Sequence, residues 1–385
     1  MPKKSTRRCF SSSTAVCAVA LLAAFASVAC AASPVASCTA ACGQNRPSDP
    51  RAAIAAAEAL PPHGINKLMK VEIGGIPQWV SIRGADPSNP ILLFIAGGPG
   101  APEMPESWTF QRPWEDFFTV VQWDQRGAGK TFSSANRIPD KSMTMAQMQA
   151  DTEQLIGWLR QRYGKKKIYV LGFSFGSILG LRVALDHPDW LYAYIGVGQV
   201  VNAQRNEVVG YRETLARAES THDEAAIKAL KALAPYPNPS GPTPISKILQ
   251  ERRWDAALGG MRYSQPQVDS AQLWALSPDY SDDDVKSAEL GELSSVEILV
   301  PQIENIDFDD DRNFACPVFF FAGKQDKTTP SSIVAAYYKT IHAPVKRLFL
   351  IDNAAHYVMN DAPGKVLMDL VKYVRPLSQR PSSSH

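Results

Sequence analysis

The sequence predicts an α/β protein built on a mostly parallel sheet, with a helical segment inserted late in the strand series. Three observations carry this. Short apolar strand-like runs alternate with helix-like segments from about residue 67. A Gly-x-Ser-x-Gly turn, Gly172-Phe173-Ser174-Phe175-Gly176, joins one such run to a helix. The alternation stops between about residues 200 and 312, where the chain turns polar and helix-like, and then resumes.

Taken in order, residues 69–73 and 76–82 read as two short strands across Gly74-Gly75, a hairpin. Residues 91–95 form a continuous apolar run, the pattern of a strand covered on both faces, and residues 118–123 form another strand. Met148, Leu155, Trp158 and Leu159 give residues 145–163 a helical period that ends at Gly164. Residues 167–171 precede the serine turn as a buried strand, residues 177–185 follow it as a helix, and residues 192–197 are the next strand. The interruption contains an Ala/Leu-rich stretch (225–233) and a Pro-rich loop (235–244). Strands at 318–321 and 347–351 flank a helix at 331–341, and a helix at 365–374 closes the series. The domain reading is a leader over 34–66, a core over 67–199 and 313–376, a helical cap over 200–312, and a tail over 377–385.

The serine turn is the strongest chemical signal. A serine between strand and helix, with glycines two residues to either side, is a nucleophile elbow: larger neighbours would collide in so tight a turn. The hydroxyl is lifted clear of the backbone, and the helix N-terminus beneath it favours developing negative charge. A serine hydroxyl needs a base, and the base needs an orienting group. In this architecture the partners follow in the order Ser, acid, His. Of six histidines, only His356 lies in a loop just beyond the end of a late strand, where loops converge on the active face. Asp326, a few residues past the preceding strand, is the candidate acid, and Asp352, at the end of the last strand, competes with it. Gly97-Gly98-Pro99-Gly100 follows the strand at 91–95; backbone N–H groups of Gly97 and Gly98 could pair with that of Phe175 as an oxyanion hole.

These features together resemble a known family. Gly97-Gly98-Pro99-Gly100, then Asp124-Gln125-Arg126-Gly127, then the elbow, Asp326 and His356, are similar to the proline iminopeptidase (prolyl aminopeptidase) branch of the α/β-hydrolases. The resemblance spans most of residues 67–375 except the cap. It implies an α/β-hydrolase fold, a Ser174–Asp326–His356 triad, an acyl-enzyme on Ser174, no cofactor, and a pocket closed by the cap. Asp124 and Arg126 would then be structural, with Arg126 fixing the GGPG loop, for instance through an ion pair with a carboxylate. Two positions depart from the family pattern: Ala96 stands where it usually has His, and Phe175 where it commonly has Trp. The family holds the substrate's free α-ammonium group with cap carboxylates. Glu207 is the candidate for that role here, against the plainer reading of an exposed helix glutamate, and Gln199 is a candidate polar contact in the pocket. The expected function is an exported serine aminopeptidase releasing N-terminal proline or other residues from short peptides. The alternatives are an esterase, lactonase or amidase on the same triad, or a binding protein on a hydrolase scaffold. Serine at the elbow argues against dehalogenase or epoxide hydrolase chemistry, which needs a carboxylate nucleophile.

Composition agrees with a globular enzyme: 385 residues, 45% hydrophobic, 20% charged, net charge +2. Lys3, Lys4, Arg7 and Arg8 lie in a segment read as removable, and without them the net charge is about −2, so nothing points to a nucleic-acid partner. Residues 1–33 read as an export signal: basic residues, an Ala-rich apolar run too short for a comfortable membrane span, then small residues at 29–32. Arg7-Arg8 leaves twin-arginine export open, and Val35-Ala36-Ser37-Cys38 leaves a lipoprotein anchor open. Periplasmic or secreted placement follows from either route. Cys38 and Cys42 could pair in an oxidising compartment, whereas Cys316 reads as a small buried hydrophobe. No close-spaced Cys or His cluster suggests a metal. The runs Asp282-Asp283-Asp284 and Asp309-Asp310-Asp311 lack the glycine and distant glutamate of a calcium loop and read as helix starts or solvated faces.

Overall fold

A computed structural model describes residues 49–134 and 141–379. Helix α1 (Pro50–Ala57) opens this stretch, with the Asp49 side chain accepting from Arg51 N and proline at the first helical position. The hairpin follows: β1 (Ile65–Ile73) and β2 (Ile76–Gly84) pair antiparallel, with Ile73 opposite Ile76. Gly74 (φ 57°) and Gly75 (φ 76°) make its turn, a backbone conformation in which glycine pays no Cβ penalty.

Next come β3 (Ile91–Ile95), β4 (Thr119–Asp124), α2 (Gly129–Ser134), α3 (Met145–Arg162), β5 (Ile168–Phe173), α4 (Phe175–Asp186) and β6 (Leu191–Val197). Five helices then intervene before the next strand: α5 (Ala203–Ser220), α6 (Glu224–Ala232), α7 (Ile245–Ala257), α8 (Ser270–Trp274) and α9 (Asp282–Ile303). The series resumes with β7 (Val318–Gly323), α10 (Ser331–Thr340), β8 (Lys346–Ile351), α11 (Val358–Asp361) and α12 (Pro363–Asp369). The sheet order is β1-β2-β4-β3-β5-β6-β7-β8. β2 joins β4 antiparallel, and every later pairing is parallel.

Period-two alternation sorts the central strands between two cores. Leu93, Ile95, Val170 and Phe320 meet Leu155 and Leu159 of α3, Leu179 and Val183 of α4, and Val334 of α10. Leu92, Phe94, Leu171, Phe319 and Phe321 face the other way, onto Trp114, Val358, Val366 and Leu370. Burying such a side chain contributes about 1.5–3 kcal/mol, which is why these strands read as unbroken apolar runs. β8, an edge strand, is only partly buried and carries Lys346 and Arg347, charges that discourage further strand pairing.

Strand order places the site. β3 and β5 are neighbours, but the chain leaves β3 toward β4 on one side and β5 toward β6 on the other, so a crevice opens beyond their carboxyl ends. The GGPG loop follows β3 and Ser174 follows β5.

Two expectations change in detail, for the closing helix and the tail. The closing helix begins at Pro363 and gives way after Asp369 to a wider π-type turn (Leu370–Val374) and a short 3-10 turn (Arg375–Ser378). Part of the expected tail is therefore anchored: Ser378 N donates to the Tyr169 hydroxyl at 2.8 Å. Asp282-Asp283-Asp284 starts α9, where Ser281 and Asp284 form a reciprocal capping box. Cys316 is buried, and burial pushes its thiol up to about 12, the state of an inert core residue. The export-signal residues, the Cys38 and Cys42 pair, the lipobox and residues 380–385 lie outside the described residues. Among the described residues no helix is long and apolar enough to cross a membrane, and no group of three or more His, Cys, Asp or Glu is placed to hold a metal.

Candidate active site

Ser174 sits between β5 and α4 with φ 51° and ψ −121°, a strained backbone for a non-glycine residue. The flanking glycines explain how the turn closes. A Cβ on Gly172 would lie 2.5 Å from Gly176 O, and one on Gly176 would lie 2.1 Å from Ile95 O. Both contacts are with backbone, which cannot step aside, so this crossing of β3 and α4 admits glycine alone. Gly97 packs directly on the serine: a Cβ there would be 3.0 Å from Ser174 Cβ. Phe175 is the first residue of α4, where backbone N–H groups have no intrahelical acceptor.

The loops after β7 and β8 bring two more candidates together. His356 Nδ1 lies 2.9 Å from Asp326 Oδ2. Asp326 is 0% exposed and His356 2%. Thr329 locks the carboxylate, donating its N–H to Oδ1 at 2.8 Å and its hydroxyl to Oδ2 at 2.7 Å, and its Oγ1 lies 3.2 Å from Nδ1. The imidazole packs on Phe173, with ring centroids 5.0 Å apart, and against the backbone of Gly198 just past β6. The competing Asp352 points away: its side chain is 76% exposed and pairs with Lys324 at 2.6 Å. Of the other described histidines (His63, His187, His222 and His342), none lines the crevice.

Ser174, Phe175, Gly97, Gly98 and His356 all open onto one cavity of about 800 Å³, roofed by α5, α7, α9 and the Pro-rich loop. Most of its roof is apolar, including Val200, Ile248, Val296 and Val300. Such an enclosure suits a small ligand held by a few placed polar groups.

The DQRG segment explains how α9 reaches this roof. Asp124 accepts from Lys130 N at 2.8 Å and from the Tyr280 hydroxyl just before α9; burial nonetheless raises its carboxyl to about 7. Lys130 adds an ion pair to Asp284 at 2.8 Å. Gly127 and Gly291 then meet face to face: a Cβ on Gly291 would lie 2.6 Å from Gly127 O, and Ser295 Oγ donates to that same oxygen at 3.1 Å. Small residues let the helix settle against the loops after β3 and β4. That approach puts the Cα of Glu292 3.2 Å from where a side chain on Gly100 would begin.

Glu292 and Glu103 thus border the cavity, and the sequence reading had missed both. Neither has an ion-pair partner among the described residues. Glu103 Oε1 is buried without a hydrogen-bond partner. Burial, then repulsion from Glu106, hold the Glu103 carboxyl well above the usual range; the nearby Arg262 opposes this but is itself bound to Glu106. Burial, then Asp269 and Glu289, raise Glu292 to about 7. A sequence signal for Glu292 existed: it sits beside the buried face Ala288, Gly291, Ser295, Leu299 of α9.

The other three assignments need correction. Glu207 lines the cavity, but its carboxylate is taken by the Arg252 guanidinium and the Tyr236 hydroxyl, so its charge is already matched. Gln199 does not reach the cavity. It is buried beneath α4, accepting from Tyr194 Oη at 2.6 Å and donating to Val200 O at 2.7 Å. Arg126 does not hold the GGPG loop; it binds Asp151 at 3.0 Å and Gly74 O at 2.8 Å, tying α3 to the hairpin. Gln125 does that work instead, donating to Ala96 O at 3.0 Å.

Comparison with known proteins agrees with this architecture. A family model described as "alpha/beta hydrolase fold" matches residues 90–363. A Bacillus subtilis protein named "Probable aminopeptidase YbaC" is 32% identical over 311 residues, covering 80% of this chain and 96% of that protein. A proline iminopeptidase of Neisseria gonorrhoeae is 33% identical over 119 residues, 31% of this chain and 36% of that enzyme. Among solved structures, a proline iminopeptidase of Mycobacterium smegmatis superposes with a TM-score of 0.57 at 18% identity, covering 81% of this chain and 99% of that one; this shows the fold. The sheet order, the inserted helices and these matches lead to one conclusion: the chain belongs to the α/β hydrolase fold family.

Proposed function

We propose that this hydrolase is a serine aminopeptidase that releases N-terminal residues, proline among them, from short peptides. Ser174 Oγ attacks the carbonyl carbon of the first peptide bond while His356 takes its proton. Asp326 fixes the imidazole and offsets its charge, and the N–H groups of Phe175 and of the Gly97-Gly98 loop receive the oxyanion. The C–N bond then breaks, His356 returns the proton to the departing amine, and water hydrolyses the acyl-serine by the same route. No cofactor enters this scheme.

One observation carries the aminopeptidase reading: Glu103 and Glu292 face the cavity that holds Ser174 and His356, and among the described residues neither has an ion-pair partner. Leaving a carboxyl uncompensated in such a place is unfavourable, and a substrate ammonium would compensate it. An ester or acyl chain would not. The relatives named as aminopeptidases lean the same way. At about 800 Å³ the cavity also has room for N-terminal residues larger than proline.

The test is a panel of Pro-, Ala- and Phe-anilides, N-acetyl-Pro-anilide and short acyl esters. Acetylation is expected to lower kcat/KM by roughly 10²-fold, because a charged hydrogen-bonded contact is worth about 1.5–3 kcal/mol. Equal turnover of free and acetylated substrates overturns the reading in favour of an amidase or esterase.

A pH dependence follows from Glu292. Its carboxyl, raised to about 7, loses its charge below that value, so KM for free-amine substrates rises as pH falls through 7. Above about 8 the substrate α-amine loses its own proton and binding weakens again. The kcat/KM profile for amines is therefore a narrow bell, whereas esters lack this dependence in KM. Identical profiles for the two classes would exclude a carboxylate–ammonium contact.

We further propose export, with residues 1–33 as the signal and either soluble or lipid-anchored release. Cell fractionation with and without a Cys38→Ala change separates these routes, and full retention in the cytoplasm overturns both.

A further inference from the structure

The cap does more than roof the cavity. Its segment from residue 255 to 263 runs against both loops that carry the acid and the base. His356 N donates to Gly260 O at 3.1 Å and Tyr357 N to Met261 O at 2.9 Å. Asp361 closes the same junction, accepting from Tyr263 N at 3.0 Å and from Ala355 N at 2.8 Å. On the acid side, Thr328 Oγ1 donates to Asp255 Oδ2 at 2.8 Å. The next residue, Thr329, holds Asp326 and touches His356 Nδ1.

We propose that Asp255, a buried cap residue remote in sequence from the triad, is a positioning residue: through Thr328 it sets the loop on which Asp326 and Thr329 align His356. The proposal rests on the triad reading above.

The surroundings of Asp255 support this role. It is 1% exposed, and Oδ1 has no hydrogen-bond partner, so Thr328 is the partner holding this carboxyl in place. Among the described residues it forms no ion pair; the Arg252 guanidinium, whose charge acts on it, is occupied by Glu207 and Glu251. Burial and repulsion from Glu251 and Asp326 push its carboxyl well above the usual range, opposed by Thr328 and Arg252. An asparagine side chain reproduces the shape of this carboxyl and keeps an oxygen to accept from Thr328. Neither Asp255 nor its contact with Thr328 requires substrate. A defect there should appear in the chemical step rather than in binding.

The test compares Asp255→Ala with Asp255→Asn in the full chain. Asp255→Ala is expected to lower kcat for Pro-anilide and the rate of fluorophosphonate labelling together, by about 10-fold or more, with KM within about twofold. Asp255→Asn should restore both rates to within about threefold. Proton NMR gives a substrate-free readout. The downfield Nδ1–H resonance of the His356–Asp326 pair should move or broaden in the alanine variant and return in the asparagine variant. If Asp255→Ala does not fold, Thr328→Val, which removes the donor, should reproduce the loss, and Thr328→Ser should retain activity. A folded Asp255→Ala with unchanged kcat and resonance overturns the proposal, as does a loss that asparagine fails to restore. Failure of the triad reading is distinguishable, because then the unmodified protein would not label at Ser174 at all.

Discussion

Replacing Ser174 by alanine is expected to abolish fluorophosphonate labelling and to lower kcat for Pro-anilide by roughly 10⁴-fold or more, leaving KM nearly unchanged. The size follows from the division of labour in a triad. Without the nucleophilic oxygen no acyl-enzyme forms, and only binding and oxyanion stabilisation persist. Structural damage cannot mimic this result, because alanine at position 174 removes one oxygen and leaves the turn's glycines in place. The informative control is Ser177, one turn along α4. Its hydroxyl is committed, donating to Ser174 O at 2.5 Å and accepting from Val200 N at 2.9 Å, and it is fully buried. Ser177→Ala should lose about 1 kcal/mol of stability and still label. Labelling that survives Ser174→Ala but not Ser177→Ala would reassign the nucleophile.

What was legible in advance divides along physical lines. Residues 91–95 and 318–321 were readable as strands because burial on two faces demands unbroken apolar runs, a constraint written locally. The elbow was readable for the same reason: the collisions at Gly172 and Gly176 restrict residue type within five positions. Asp326 and His356 lie at strand ends, and strand ends are where such a sheet gathers its loops. The cap offered no such anchor. Whether Glu207 is free or spent depends on Arg252, 45 residues away on another helix, and nothing local announces that pairing. Gln199 follows a strand end as a pocket residue would, yet the buried Tyr194 hydroxyl and Val200 O claim its amide. Arg126 was read as the anchor of the GGPG loop when its neighbour Gln125 performs that task, a difference of one residue that only side-chain direction decides. Carboxyl groups whose value lies in having no partner, such as Glu103, are the hardest to find, since absence of a contact leaves no pattern.

Glu292→Gln should move activity and stability in opposite directions. In the folded protein the carboxyl is raised from 4.5 to about 7, so the native state holds this proton more tightly than the unfolded chain does. Below pH 4.5 both states carry the proton and Glu292 has no effect on stability; between 4.5 and 7 stability is progressively lost; above 7 the loss is complete. Its full size is on the order of 3 kcal/mol, lessened by whatever water the cavity admits. Glutamine never ionises, so the variant should unfold at a higher temperature than the parent at pH 8, with the gap closing by pH 4.5. The same change removes half of the proposed ammonium site. For free-amine substrates kcat/KM should fall by about 10²-fold, mainly through KM, and the narrow dependence on pH near 7 should flatten. N-acetylated substrates and short esters, which bring no charge, should react as before. A structural glutamate would give the reverse pattern, with lower stability and uniformly reduced turnover of every substrate. A functional one is kept despite its destabilising effect because substrate binding needs an unmatched charge there, and the two melting curves at pH 8 and pH 4.5 tell the cases apart without any assay of activity.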